Sequence, residues 1–165
     1  MSWNSFFVIS HIIGTALGVG GATFAEVFLL KSLRDGKVDE TEGGFLRLTY
    51  WALRLGMIIL VLSGFGFFLL YRFESDTDHL YEPALWAKMT IVLVILINAL
   101  LLETRKIPLW LGSALSLTSW YAALVIGASG QNDWSYGEVM LWYVLAVAIV
   151  AGLLSLVRKS LKIKI

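Results

Sequence analysis

The 165-residue chain carries 13 basic against 12 acidic side chains, and a formal charge of +1 points to no polyanionic partner, nucleic acid included. Hydrophobic residues make up 58% of it and its mean hydropathy is +0.78, far above the roughly half-apolar average of soluble domains, which argues against a single water-soluble core. Cysteine is absent, so disulfides, thiolate metal ligands, c-type haem attachment and iron–sulfur clusters held by this chain are excluded as well.

Five apolar stretches follow one another, at 3–31, 47–72, 83–103, 108–128 and 137–157, each about the ~20 residues that a helix needs to cross ~30 Å. The first has no basic segment ahead of it and is far longer than the apolar core of a signal peptide, so it is expected to stay in the mature chain. It carries His11 and Glu26, ionisable groups that are costly in hydrocarbon and usually kept for function. Ser10, Gly14, Gly18, Ala22 and Glu26 recur every four residues, and Gly20-Gly21 widens that small face. Such a face suits close helix packing or a flat ligand laid against it.

Asp35-Gly36-Lys37 and Gly43-Gly44 read as turn material ahead of the second stretch, which holds Arg54 and Ser63. Pro83 and Pro108 fit the first turns of the third and fourth. The third holds Lys88, Met89 and Asn98, and its run from Ile91 to Ile97 is apolar on every side, unlike the alternating strands of a membrane β-barrel. Past the fifth stretch, Arg158, Lys159, Lys162 and Lys164 interleave with Leu161, Ile163 and Ile165, which reads as an interfacial anchor to anionic lipid or a partner-docking segment. No repeat or low-complexity segment divides the chain, so 1–165 reads as a single transmembrane domain, an all-α integral membrane bundle of five transmembrane helices.

Basic residues set the expected orientation. Lys31, Arg34, Lys37 and Arg47 border the first connection, Arg105 and Lys106 the third, and four more follow the fifth stretch, while the other two connections carry acidic or neutral side chains apart from His79. By the positive-inside rule the N-terminus lies outside and the C-terminus in the cytoplasm, in a bacterial-type inner membrane. Tryptophans agree, with Trp3, Trp86 and Trp134 at the outer boundary and Trp51 and Trp110 near the inner one.

Counting at ~1.5 Å per residue, His11 lies ~12 Å below the outer boundary on the first helix and Lys88 ~8 Å below it on the third, so the two can share a layer. Met89 and Met140 lie near that level and His79 in the loop above. Glu26, Arg54 and Asn98 lie roughly 7 to 11 Å from the cytoplasmic boundary and form a second, inner layer. There the expectation is that Glu26 pairs with Arg54, as a structural lock or as a gate.

A porphyrin needs an apolar slot, glycines that permit close approach and an axial ligand; His11 supplies an imidazole one turn before Gly14, with Gly18 and Gly21 continuing the face. With only two histidines, a single b-type haem is the expectation, its second ligand being Met89, Met140, His79, another subunit or none. Bound haem b or another porphyrin or metal would make the chain an electron carrier or a membrane oxidoreductase; no hydrolase or transferase motif is present. Two alternatives stand beside this: a metal-ion or proton transporter gated by Glu26, Arg54 and Asn98, and an accessory subunit of a larger membrane complex. Expected partners are the lipid bilayer, a membrane redox partner or larger complex, and a second copy of the chain.

His11 with Gly14 and the Gly18/Gly20/Gly21 group, Arg47-Leu48 through Ser63-Gly64, and Leu85-Trp86-Ala87-Lys88 leading to Arg105 together resemble the copper-resistance D (CopD-like) membrane family. More distantly they are similar to the HemJ-type protoporphyrinogen oxidases. The resemblance spans residues 5–106 and implies metal or haem in the outer or central part of the bundle, associated with His11 and Lys88. The chain departs from that pattern in lacking a second intramembrane histidine and in placing Asn98 midway along the third helix.

Overall fold

The computed structural model describes residues 2–32, 38–74, 78–130 and 133–161, and leaves the side chains of Asp78 and His79 undescribed. The turn expected at Asp35-Gly36-Lys37 and the tail residues Lys162, Ile163, Lys164 and Ile165 lie outside the described residues. The rest is all-α: α1 (Trp3–Ser32), α2 (Glu40–Phe73), a short 3-10 turn (Asp78–Tyr81), α3 (Pro83–Glu103), α4 (Leu109–Ala128) and α5 (Tyr136–Ser160). Among the described residues all five helices are long and apolar enough to cross a membrane.

The largest departure from the sequence expectation is the start of α2, seven residues early. Asp39 accepts from the Glu42 backbone N–H at 2.7 Å, and Glu42 Oε2 accepts from the Asp39 N–H at 3.3 Å. This capping box starts the helix, so Gly43 and Gly44 lie inside α2 rather than in a turn. Removing the Asp39 side chain in Asp39→Ala is expected to lower stability by about 1 kcal/mol, read from thermal unfolding in detergent. Pro83 takes the first turn of α3 as expected, whereas Pro108 sits one position earlier in its helix, as the N-cap of α4. Ser135 and Glu138 repeat the capping box at α5, which runs on to Ser160, three residues beyond the apolar stretch.

Close approach of α1 and α2 comes from glycine. A Cβ added to Gly56 would stand 2.8 Å from Gly14 O and 2.8 Å from Gly18 N, and one added to Gly14 would stand 2.8 Å from Leu60 N, so bare backbones touch where any side chain would part them. Below that crossing the rings of Phe28 and Phe45 stack at 5.3 Å; above it Phe7 lies over Gly66. On its other side α1 meets α4, where the Trp120 ring, 1% exposed, fills the space that a Gly18 side chain would take.

Around Trp120 the core continues with Leu60, Ala87, Ile91, Ile95 and Tyr143. Ser119 Oγ and Tyr143 Oη, 2.8 Å apart, tie α4 to α5. Helix α3 packs on α4 and α5, but α2 and α3 make almost no contact with one another. The bundle therefore has a cleft between α2 and α3, floored by α1 and α4. Trp3, Trp86 and Trp134 share one end of it, here called the Trp3 end, and Arg158 lies toward the other.

Candidate functional site

Toward the Trp3 end, the candidate centre is His11. Its Nδ1 lies 2.9 Å from Ser63 Oγ on α2, and Ser63, 2% exposed, donates its one proton to Leu60 O at 3.1 Å. With the hydroxyl turned to Leu60 O it accepts from Nδ1–H, the tautomer that leaves the Nε2 lone pair available. Phe67 meets the imidazole edge to face, with ring centroids 5.8 Å apart. The half-buried Lys88 of α3 is within electrostatic reach of His11 and of Glu82. Both residues lie toward the Trp3 end, His11 on α1 and Lys88 on α3.

Other residues expected at this centre are placed differently. Met89 is 51% exposed and points away from the core, as a neighbour one step along a helix must. Met140 packs against the core, and the His79 side chain is outside the described residues. Gly14 and Gly18 shape no open slot, as Gly14 abuts the α2 backbone and Gly18 lies under Trp120; Gly21 packs close to Leu53 and, with Gly20, lines a separate apolar groove between α1 and α2 that does not include His11. The small face of α1 is used for packing against two helices. The one glycine with open space beside the imidazole is Gly64, where an added Cβ would meet only His11 Cε1, at 3.9 Å.

The inner polar layer also has other partners than expected. Glu26, 5% exposed, and Arg158, 4% exposed, form a buried ion pair at 2.6 Å, and Arg158 also donates to Ser113 Oγ at 2.7 Å. Arg54 pairs instead with Glu103 of α3 at 3.0 Å, with both side chains more than half exposed. Asn98 donates to Gly112 O at 2.9 Å. A helical side chain leans toward the N-terminus of its own helix, and this carries the Arg158 guanidinium back from the last turn of α5 into the bundle. The nearest sequence signal was the position of Arg158 one residue past the apolar stretch.

Between Arg54–Glu103 at its rim and Trp120 at its floor, the cleft holds a cavity of about 550 Å³ in whose wall Glu26 and Asn98 stand. Glu26 Oε2 and Asn98 Oδ1 are buried without a hydrogen-bond partner. Between this cavity and His11 the hydroxyls of Thr15 and Thr23 donate back to their own helix, onto His11 O and Val19 O, and Thr23 Oγ1 also lies 3.1 Å from Tyr121 Oη. Among the described residues no three His, Cys, Asp or Glu side chains cluster as a metal site. Compared with known proteins, the chain matches no family model, no curated protein and no solved structure.

Proposed function

We propose that the chain is a multi-pass protein of a bacterial-type inner membrane, its Trp3 end outside, that binds haem b or a related porphyrin through His11 Nε2. The observation that carries this reading is the Leu60–Ser63–His11 chain of hydrogen bonds. An imidazole whose Nδ1 is held by an outer partner is oriented in the way that metal-bound histidines are.

The residues present fit such a group at three points. His11 would hold it through a ring nitrogen, Gly64 leaves open space beside the imidazole, and Lys88 would supply a cation for an anionic edge. Gly14 and Gly18 take no part, since protein covers them, and the groove that Gly21 lines does not include His11. The likeness of residues 5–106 to CopD-like membrane proteins points the same way. When bound, the group would supply one-electron redox chemistry. The chain's own part is to hold the imidazole proton on Nδ1, to balance the anionic edge with Lys88, and to exclude water with Phe67 and the surrounding apolar side chains.

Protein purified in detergent from haem-replete cells is expected to show a Soret band. His11→Ala is expected to lose it with helix content unchanged by circular dichroism, and Lys88→Ala to weaken retention without abolishing it. A colourless preparation, or a band that survives His11→Ala, would overturn the assignment.

A further inference from the structure

The cavity at the other end of the cleft is separate from His11, and no step of the haem reading uses it. Its volume of about 550 Å³ falls within the ~300–1,000 Å³ usual for small-molecule sites. Leu53, Met57, Ile95, Leu96 and Trp120 make its inner wall largely apolar, and Arg54, Glu103 and Arg105 stand at its mouth. Because α2 and α3 scarcely touch, a long chain can enter sideways between them.

The charges at the mouth do not cancel. Arg158 is matched by Glu26 and Arg54 by Glu103, whereas the exposed Arg105 side chain has no ion pair or hydrogen bond among the described residues. One cation is left over. Deeper in, Glu26 and Asn98 stand in the wall but bury their free oxygens within the protein, so they select no head group.

Arg105 is also held where an arginine is not the easy choice. Its φ of 54° is the left-handed conformation that closes α3, with the Lys106 N–H donating to Leu101 O at 2.9 Å. Glycine fits that position without strain, and a side chain there costs free energy. Among the described residues no other non-glycine residue has a positive φ. Strain kept at a residue that lines a cavity points to a use for its side chain.

We infer that this cavity binds a long-chain carboxylate, a fatty acid anion, whose head is held by Arg105 with Arg54 as a second donor and whose chain lies along Met57, Ile95 and Trp120. A guanidinium meets a carboxylate through two parallel N–H bonds, and one negative charge balances the one cation left over. Arg54 holds Glu103 through a single Nη2 contact, so its other donors remain for the same head.

The test titrates the detergent-purified full chain, at about pH 9 where a carboxylate is ionised, with oleate, oleyl alcohol and dioleoylphosphatidylglycerol, read by native mass spectrometry. Oleate is expected to bind about fivefold tighter than oleyl alcohol, the worth of about one net hydrogen bond. Arg105→Gly is expected to bring oleate down to the level of the alcohol and to leave the alcohol unchanged. It is also expected to unfold at no lower temperature, since it removes the left-handed strain. Lys106→Gln removes the same charge one residue away, outside the cavity wall, and is expected to change neither probe. Ala99→Phe, which fills the cavity, is expected to weaken both at least about tenfold by overpacking; if it does not fold, Arg105→Gly and Lys106→Gln carry the test. Equal binding of oleate and alcohol, no binding of either, or a loss on Lys106→Gln as large as on Arg105→Gly would overturn the proposal. Tighter binding of dioleoylphosphatidylglycerol than of oleate would overturn the single-chain carboxylate assignment.

Discussion

Arg158→Leu is expected to lower folding stability by about 3–5 kcal/mol, the usual cost of leaving one member of a buried ion pair without its partner. Side-chain exposures of 5% and 6% for Arg158 and Glu26 put this pair out of reach of screening by solvent. Arg54–Glu103 has the same chemistry but is 58% and 61% exposed, so Arg54→Leu is expected to lose at most about 1 kcal/mol. Thermal or denaturant unfolding in one detergent compares the two directly. The double variant Glu26→Leu with Arg158→Leu is expected to recover most of the loss, because the penalty lies in the orphaned charge and not in the missing attraction. A double variant no more stable than the single one would show that the two side chains are not coupled.

Gly56→Ala is expected to cost about 1–3 kcal/mol through overpacking. Its new methyl would meet Gly14 O and Gly18 N at 2.8 Å and Leu17 Cβ at 3.1 Å. Two of these are main-chain atoms of a neighbouring helix, which cannot rotate aside as a side chain can, so α1 and α2 must separate and lose contact along their length. Gly20→Ala is the matched control: nothing stands within 4 Å of its added Cβ, and a helical glycine replaced by alanine gains about 0.5–1 kcal/mol. Opposite signs for two identical substitutions are thus the expected result, read as shifts in unfolding midpoint. Equal midpoints would mean that the helices do not approach so closely.

The five helices and the small face of α1 were legible because both rest on periodicity, and periodicity survives whatever the tertiary arrangement. The four-residue spacing of Gly14, Gly18, Ala22 and Glu26 correctly identified a buried stripe; what covers that stripe was not readable, since nothing local says that Trp120 of α4 lies opposite Gly18. Gly43 and Gly44 misled because glycine was weighed as a turn former. The Asp39 and Glu42 spacing, a capping-box signature in plain view, outweighs it. Depth counting put His11 and Lys88 toward the same end of the bundle, which follows from their positions near the starts of α1 and α3. It failed for Glu26, because Arg158 was counted with the tail according to where its backbone falls, and an arginine side chain reaches more than a helical turn from its own Cα.

The Glu26–Arg158 pair joins residues 132 positions apart in the chain. In a membrane-embedded chain made from its N-terminus, Glu26 arrives with the first helix and Arg158 only at the end of the last, after every other span has been synthesised. During that interval the carboxylate lacks Arg158, and an unpaired charge in hydrocarbon favours return toward the interface. The pair therefore ties the first helix to the last, and this buried contact is made only after the whole span between them exists.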